Sequence, residues 1–126
     1  MKKIPKPRGP YSLSRKAGDL LFVAGLLPID PETGSVIEGD IEILTHQVID
    51  NIEAVLGEEG LSLKDVVKCD VFLKDLSERP GMEKAYEKRF SPGPFPARVT
   101  IEAARLPLDV RVEIACVAYA VRLRQK

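Results

Sequence analysis

Two kinds of hydrophobic spacing alternate along this chain, and this alternation restricts its fold more than any other feature. Between residues 41 and 55, apolar residues recur every three or four positions, which is the spacing of a helix with one buried face. These residues are Ile41, Leu44, Val48, Ile52 and Val55. Asp40 is a suitable N-cap and Gly60 a suitable C-terminal stop, so the spacing predicts a helix that ends near Glu59.

A second helix is predicted between Ser77 and residue 90. Ser77 is a candidate N-cap, and Pro80 would be tolerated in the first turn. The inward-facing stripe of this helix would consist of Met82, Tyr86 and Phe90. The proline- and glycine-rich residues 91–94 would end it.

Strand-like segments surround these helices. Leu20 to Leu27 is an almost continuous apolar run, short enough for a buried strand, and it ends at Pro28. Residues 30–34, Asp-Pro-Glu-Thr-Gly, have the composition of a turn. After the first helix, apolar residues alternate with others, as in a strand with one face in the core. The predicted core residues of this strand are Val67, Cys69, Val71 and Leu73.

Two alternating runs near the end of the chain carry charged residues. In the first run, one face consists of Ala97, Val99, Ile101 and Ala103, and the other of Arg98, Thr100 and Glu102. In the second, the apolar face consists of Val112, Ile114, Cys116 and Ala118, with Arg111, Glu113 and Ala115 opposite.

These two runs could pair as a hairpin across the short turn at residues 106–109. A register that places Thr100 opposite Glu113 would leave Arg98 and Glu113 as diagonal neighbours on one surface. A guanidinium beside a carboxylate is a candidate site for a small anion. The alternative is a cross-strand salt bridge on a face that meets water.

The order strands, helix, strand, helix, strand, strand predicts an α+β fold with both helices on one face of a mixed sheet. A chain of 126 residues suits one compact domain. Val110 to Val121 is apolar on both faces apart from Arg111, Glu113 and the hydroxyl of Tyr119. The face without helices is therefore predicted to be an association surface, unless loops or the N-terminus cover it.

Charge and cysteine content argue against several classes of protein. Lysine plus arginine equal aspartate plus glutamate at 19 each, so no overall basic field attracts nucleic acid. Cys69 and Cys116 fall on apolar strand faces and are interpreted as buried hydrophobic residues, although one bridge between them stays open. His46, the single histidine, has too few partners for a zinc site, and no residues have the spacing of metal ligands.

The N-terminal residues and the amide content predict the compartment of the protein and the type of organism it comes from. The lysine-rich start leads into prolines rather than an apolar run, so no signal peptide is expected, and no stretch approaches a membrane span. A cytoplasmic protein is predicted. Only three amides, Gln47, Asn51 and Gln125, accompany abundant charge and ten prolines, a composition typical of a thermophilic source.

Five short segments occur in one characteristic order. They are Gly9-Pro10-Tyr11-Ser12, the apolar run 20–27 with Pro28, the turn 30–34, Lys74-Asp75-Leu76, and Phe95-Pro96-Ala97-Arg98. Together they resemble the RidA (YjgF/YER057c/UK114) family of small trimeric imine deaminases, whose members are also labelled endoribonuclease L-PSP or translation initiation inhibitor. The resemblance runs from about Gly9 to about Val121. It implies one RidA-like domain over residues 1–126, a chorismate-mutase-like fold and a homotrimer.

The resemblance also implies a site in a cleft between neighbouring subunits. Arg98 would bind the substrate carboxylate, Glu113 would orient or activate the attacking water, and Tyr11 would stand at the mouth of the cleft. Thr100, Ala24 and Gly25 would contribute to substrate binding. The implied reaction is hydrolysis of 2-imino or 2-enamino acids, of the 2-iminobutyrate or 2-iminopropanoate type, to 2-oxoacids and ammonia. No cofactor and no metal is expected.

Three departures from the best-known members affect this expectation. Their Ser-Gly-Gln at the end of the strand is Ala24-Gly25-Leu26 here, and a cysteine two positions after the arginine is Thr100. An asparagine in the second helix is Glu83. Glu83 would disfavour a second carboxylate if it faced the cleft, but it is expected outside, on the solvated face of the helix.

Two other functions compete with imine hydrolysis. The first is a non-catalytic trimer that binds small ligands or acts like a chaperone through the same cleft. The second is an endoribonuclease or translation inhibitor. Neutral net charge, the absence of tryptophan and the lack of an aromatic stacking platform argue against RNA.

Overall fold

The computed structural model describes residues 3–120, and its elements follow the predicted order. The strands are β1 Ser14–Ala17, β2 Leu20–Leu26, β3 Ile29–Asp30, β4 Ser35–Val36, β5 Val66–Leu73, β6 Ala97–Glu102 and β7 Val112–Tyr119. The helices are α1 Ile41–Glu58 and α2 Arg79–Phe90, with short 3₁₀ turns at Leu63–Asp65, Leu76–Glu78 and Pro107–Asp109. The fold is α+β, as predicted.

Five strands form one mixed sheet in the order β1-β2-β7-β5-β6, and β3 and β4 form a separate hairpin. Among the strands of residues 3–120, only β5 and β6, which are connected through α2, run parallel, and the other pairs are antiparallel. The predicted hairpin between the last two strands is therefore wrong. Strand β7 lies between β2 and β5, and β6 pairs with β5 at the edge of the sheet.

The reason lies in the faces of the two strands. Strand β7 is apolar on both faces apart from Glu113, which suits a central position between two neighbours. Strand β6 carries charged residues and lies at the sheet edge, where charge discourages further pairing. The connection between them passes through Leu108 and Asp109, both with positive φ near 57° (56° and 57°), and does not return β7 alongside β6.

The core lies between the sheet and the two helices. Val112, Ile114 and Cys116 of β7 face the helices, as their alternation predicted. In β5 the prediction is wrong at one position, because the register shifts between Val66 and Lys68. Val66 is buried, whereas Val67, which was predicted in the core, is 47% exposed.

The helix boundaries follow the capping signals in part. Asp40 caps α1 by accepting a hydrogen bond from the backbone N–H of Ile43 at 2.9 Å, and Gly60 after the helix has φ 74°. For α2, the predicted cap at Ser77 is wrong. Asp75 caps the preceding 3₁₀ turn through the N–H of Ser77, and α2 begins two residues later.

One arginine joins the two helices. Arg89 of α2 donates to Asp50 and Glu53 of α1 at 2.8 Å each and to the carbonyl oxygen of His46 at 3.0 Å. His46 is half-buried beside this arginine rather than freely exposed. These contacts hold α2 in register against α1, and α2 carries part of the candidate site described below.

The two cysteines lie opposite each other on β5 and β7, and both are buried free thiols. Burial raises the pKa of Cys69 to about 11 and also raises the pKa of Cys116. Within residues 3–120, no group of histidine, cysteine and acidic residues could hold a metal ion, and no helix is long and apolar enough to cross a membrane.

The face of the sheet without helices carries exposed apolar side chains. Phe22 of β2 is 45% exposed, and Val99 and Ile101 of β6 are 46% and 45% exposed. We call this surface, with Val117 and Tyr119 of β7, the outer face. Among the described residues, neither the loops nor the N-terminal segment buries these side chains. The alternative that the chain itself covers this face is therefore not observed.

Candidate active site

Arg98 projects from β6 toward α2, not toward the outer face. Its guanidinium lies over the ring of Tyr86, 5.0 Å from the ring centroid, and forms an ion pair with Glu83. A cleft of about 380 Å³ opens at this point. Its lining consists of Glu83, Tyr86, Glu87, Phe95, Pro96 and Arg98, and we call it the Arg98 cleft.

Glu83 was expected on the solvated side of α2, and this expectation is wrong. Its carboxylate binds Arg98 and also lies 3.9 Å from Nε of Arg79, one helical turn earlier. The reason is the stripe on which it lies. Glu83 is three residues before Tyr86, so both side chains lie along the side of α2 that borders β6.

Thr100 lies two residues beyond Arg98 on the same face of β6. Its hydroxyl is buried and has no hydrogen-bond partner among residues 3–120. The N–H of Ala103 donates to Leu73 of β5, and backbone groups alternate in direction along a strand. The N–H groups of Arg98 and Thr100 therefore point away from β5, toward the free edge of the sheet.

Glu113 lies in a different cleft, of about 520 Å³, which also includes Arg8, Tyr11, Ala24, Gly25 and Leu108. We call it the Glu113 cleft. Partial burial raises the pKa of the Glu113 carboxyl above its usual range. A Cβ atom on Gly25 would overlap Oε2 of Glu113 and lie 2.9 Å from its Cδ, so the glycine leaves the space that the carboxylate fills.

Tyr11 borders the Glu113 cleft and is 47% exposed. Its hydroxyl accepts a hydrogen bond from the backbone N–H of Arg8 at 3.2 Å, and its own N–H donates to Gly9 at 2.8 Å. These bonds within the Gly-Pro-Tyr segment place the ring beside Ala24 and Gly25, at the end of β2.

Within one chain, Arg98 and Glu113 are on opposite faces of the sheet. Arg98 lies opposite Cys69 of β5, which faces the helices, whereas Glu113 lies opposite Phe72. Since Cys69 and Phe72 are an odd number of positions apart, they face opposite sides. The predicted diagonal contact between Arg98 and Glu113 is therefore wrong, and one chain by itself does not bring the two charges together.

Proteins of a known family match nearly the whole of this chain. The model of the endoribonuclease L-PSP family matches residues 1–120. The chain belongs to the RidA (YjgF/YER057c/UK114) family. A RutC family protein from Pyrococcus abyssi is 51% identical over 117 residues, covering 93% of this chain and 91% of that protein.

Other members of the RidA family agree in sequence and fold. The 2-iminobutanoate/2-iminopropanoate deaminase of Salmonella typhimurium is 38% identical over 116 residues, covering 90% of each chain. The crystal structure of RidA from the Antarctic bacterium Psychrobacter is 38% identical, with a TM-score of 0.88 over 93% of this chain and 94% of that one. The Pyrococcus relative comes from a thermophilic archaeon, in agreement with the low amide content.

All six residues that the sequence predicts for a RidA-type site line or adjoin one of the two clefts. Tyr11, Ala24, Gly25 and Glu113 line the Glu113 cleft, and Arg98 lines the other with Thr100 beside it. Sequence reasoning missed Glu87, Phe95 and Arg8 as cleft residues. Their only signal was proximity along the chain to residues already singled out.

Proposed function

We propose that this protein hydrolyses 2-imino acids to 2-oxoacids and ammonia, at clefts formed between the subunits of a homotrimer. One observation carries the proposal: Arg98 and Glu113 each line a cleft, but on opposite faces of the sheet. A site that uses both side chains needs the Arg98 cleft of one subunit to meet the Glu113 cleft of another.

Arg98 is suited to hold the carboxylate of the substrate. A guanidinium presents five N–H donors, and within residues 3–120 Glu83 is its only hydrogen-bonding partner. Donors are therefore left for a ligand, and a carboxylate can accept two of them in parallel. The outward N–H of Thr100 supplies a further donor along the same edge of β6.

Glu113 is suited to move protons during hydrolysis. Its pKa is raised by burial, so it holds and releases a proton closer to neutral pH than an exposed glutamate does. As carboxylate it accepts a proton from water while the oxygen adds to the C=N carbon. As acid it returns that proton to the nitrogen, which gives a carbinolamine. It then takes the hydroxyl proton of the carbinolamine and passes it to the nitrogen, so that the C=O bond forms as the C–N bond breaks and ammonia leaves.

Two further observations support the proposal. The Salmonella relative, 38% identical over nearly its whole length, carries the name of this activity. The outer face offers apolar side chains from β2, β6 and β7 for contact between subunits, and Glu113 lies on this same face.

A trapping assay tests the proposal. An amino-acid oxidase generates the imine, semicarbazide intercepts it, and added protein is expected to divert the imine to 2-oxoacid before capture. Glu113→Gln should remove most of this acceleration, on the order of a hundredfold, the usual contribution of a positioned acid or base. Tight binding of a 2-oxoacid without any turnover by folded wild-type protein would indicate a non-catalytic binding protein instead.

The pH dependence of the same assay follows from the Glu113 carboxyl. Because its pKa is raised, the carboxylate needed to accept a proton from water is lost at a higher pH than for an exposed glutamate. The kcat/KM of wild type should therefore fall as pH decreases through that raised pKa. The residual activity of Glu113→Gln should not show this fall at acidic pH. If kcat/KM of both proteins falls over the same pH range, the titrating group is not Glu113.

Gly25→Ala tests the placement of Glu113. The added methyl group would collide with the carboxylate and turn it away, so kcat/KM should fall by about 10- to 100-fold, as expected for a misplaced catalytic group. Gly57→Ala is the matched control, since a Cβ there meets no atom within 4 Å and alanine favours the helix. Equal activity of Gly25→Ala and the control would argue against this position for Glu113.

A further inference from the structure

The Arg98 cleft already holds a carboxylate at its anion-binding residue. Glu83 is ion-paired to Arg98, and the side chains of these two residues are 38% and 23% exposed. Tyr86 covers one face of the same guanidinium. The charge of Arg98 is thus largely compensated from within the protein, and a ligand carboxylate that binds it comes close to the carboxylate of Glu83.

A second carboxylate lines the same cleft. Glu87 follows Glu83 by one helical turn, is exposed, and forms no ion pair with any residue between 3 and 120. The six residues that line the cleft therefore carry two negative charges and one positive charge. With a substrate carboxylate bound at Arg98, the local balance becomes still more negative.

The remaining walls of the cleft suit a cation. Tyr86 and Phe95 both belong to the lining; Phe95 is 50% exposed, whereas Tyr86 is buried with Arg98 over its ring. Aromatic faces attract ammonium and guanidinium groups. Two acidic side chains and the exposed ring of Phe95 thus line the same cleft as Arg98.

We infer that Glu83 determines the charge selectivity of the site, which favours 2-imino acids whose side chain carries an amino or guanidino group. The inference rests on the proposed function and specifies its substrate class. The substrate carboxylate binds the remaining donors of Arg98, and the distal cation compensates Glu83 and Glu87. A neutral side chain adds no positive charge to balance the two acids, and an acidic side chain is repelled.

The test compares imines of similar length and different charge in the trapping assay. Oxidases convert arginine, norvaline and glutamate to a cationic, a neutral and an anionic 2-imino acid. Wild type should prefer the arginine-derived imine over the norvaline-derived one by about tenfold in kcat/KM, the effect of one good charged contact. The glutamate-derived imine should be the poorest substrate. The cationic preference should decrease as salt is added.

Glu83→Gln should reduce the cationic-to-neutral ratio to near one, and Glu83→Lys should reverse the order toward the glutamate-derived imine. The ratio is the informative quantity, because a merely structural disturbance of Arg98 would lower activity on all three imines together. Glu58→Gln at the end of α1 removes the same charge from an exposed position outside the clefts, and should leave the ratio as in wild type.

The outcomes separate this inference from the proposed function. Turnover of the neutral imine without a cationic preference, or a ratio that Glu83→Gln leaves unchanged, overturns the inference alone. No turnover of any imine overturns the proposed function. In that case, calorimetric titration with 2-oxo-5-guanidinopentanoate and 2-oxopentanoate decides the charge preference, and equal affinities for both compounds overturn it.

Discussion

Arg98→Ala is expected to lower kcat/KM for 2-imino acid hydrolysis by a few hundredfold while the protein stays folded. Two charge-assisted hydrogen bonds to the substrate carboxylate are lost, at about 1.5–3 kcal/mol each, and every 1.4 kcal/mol corresponds to about tenfold. The variant also leaves Glu83 without its partner in the cleft, where its charge repels the substrate. Steady-state kinetics in the trapping assay, with circular dichroism as a check of folding, measures this loss.

Two companion variants separate the causes of that loss. Arg98→Lys keeps the positive charge but not the planar pair of donors, so its activity should lie between wild type and Arg98→Ala. Adding Glu83→Gln to Arg98→Ala should recover part of the loss, since it removes a carboxylate that has lost Arg98 and keeps only the longer contact with Arg79. Thermal stability should change little, because the ion pair is partly exposed and such pairs contribute at most about 1 kcal/mol. Full activity of Arg98→Ala would contradict the assigned role.

Ile101→Glu is expected to separate the subunits of the proposed trimer and, with them, the two halves of the proposed site. Ile101 lies on the outer face, where it is 45% exposed in the single chain. Burying such a side chain contributes roughly 1.5–3 kcal/mol, and burying an unpaired carboxylate in its place costs several more. We expect the dissociation constant of the assembly to rise by at least about a hundredfold. Sedimentation velocity should show a monomer for this variant and a trimer for wild type.

Imine hydrolysis by Ile101→Glu should fall together with the trimer, although both clefts are still present in each chain. Ile43→Glu is the matched control, since Ile43 is equally exposed on α1, outside both clefts. It should stay trimeric and active. A monomeric Ile101→Glu protein with wild-type activity would contradict a site shared between subunits. A wild-type protein that is itself monomeric would contradict the assembly.

Local signals in the sequence predicted most of the elements. The three- and four-residue spacing from Ile41 to Val55 and the cap at Asp40 identified α1, because a helix is stabilised by contacts and caps close along the chain. The turn before Ser35 was equally readable: Asp30 accepts from the N–H of Glu32 at 2.8 Å, and Gly34 has φ 76°. These features depend on neighbouring residues alone.

The sequence by itself thus determined the class of fold, the α1 boundaries, the two faces of β6 and β7 and, through resemblance, the family. Only the tertiary structure decided that β6 and β7 are not neighbours and that Arg98 and Glu113 lie on opposite faces. It also placed Glu83 in the cleft. Alternation within a strand tells which side chains share a face, but the neighbour of a strand and the face that turns inward depend on burying the apolar surface of the whole chain.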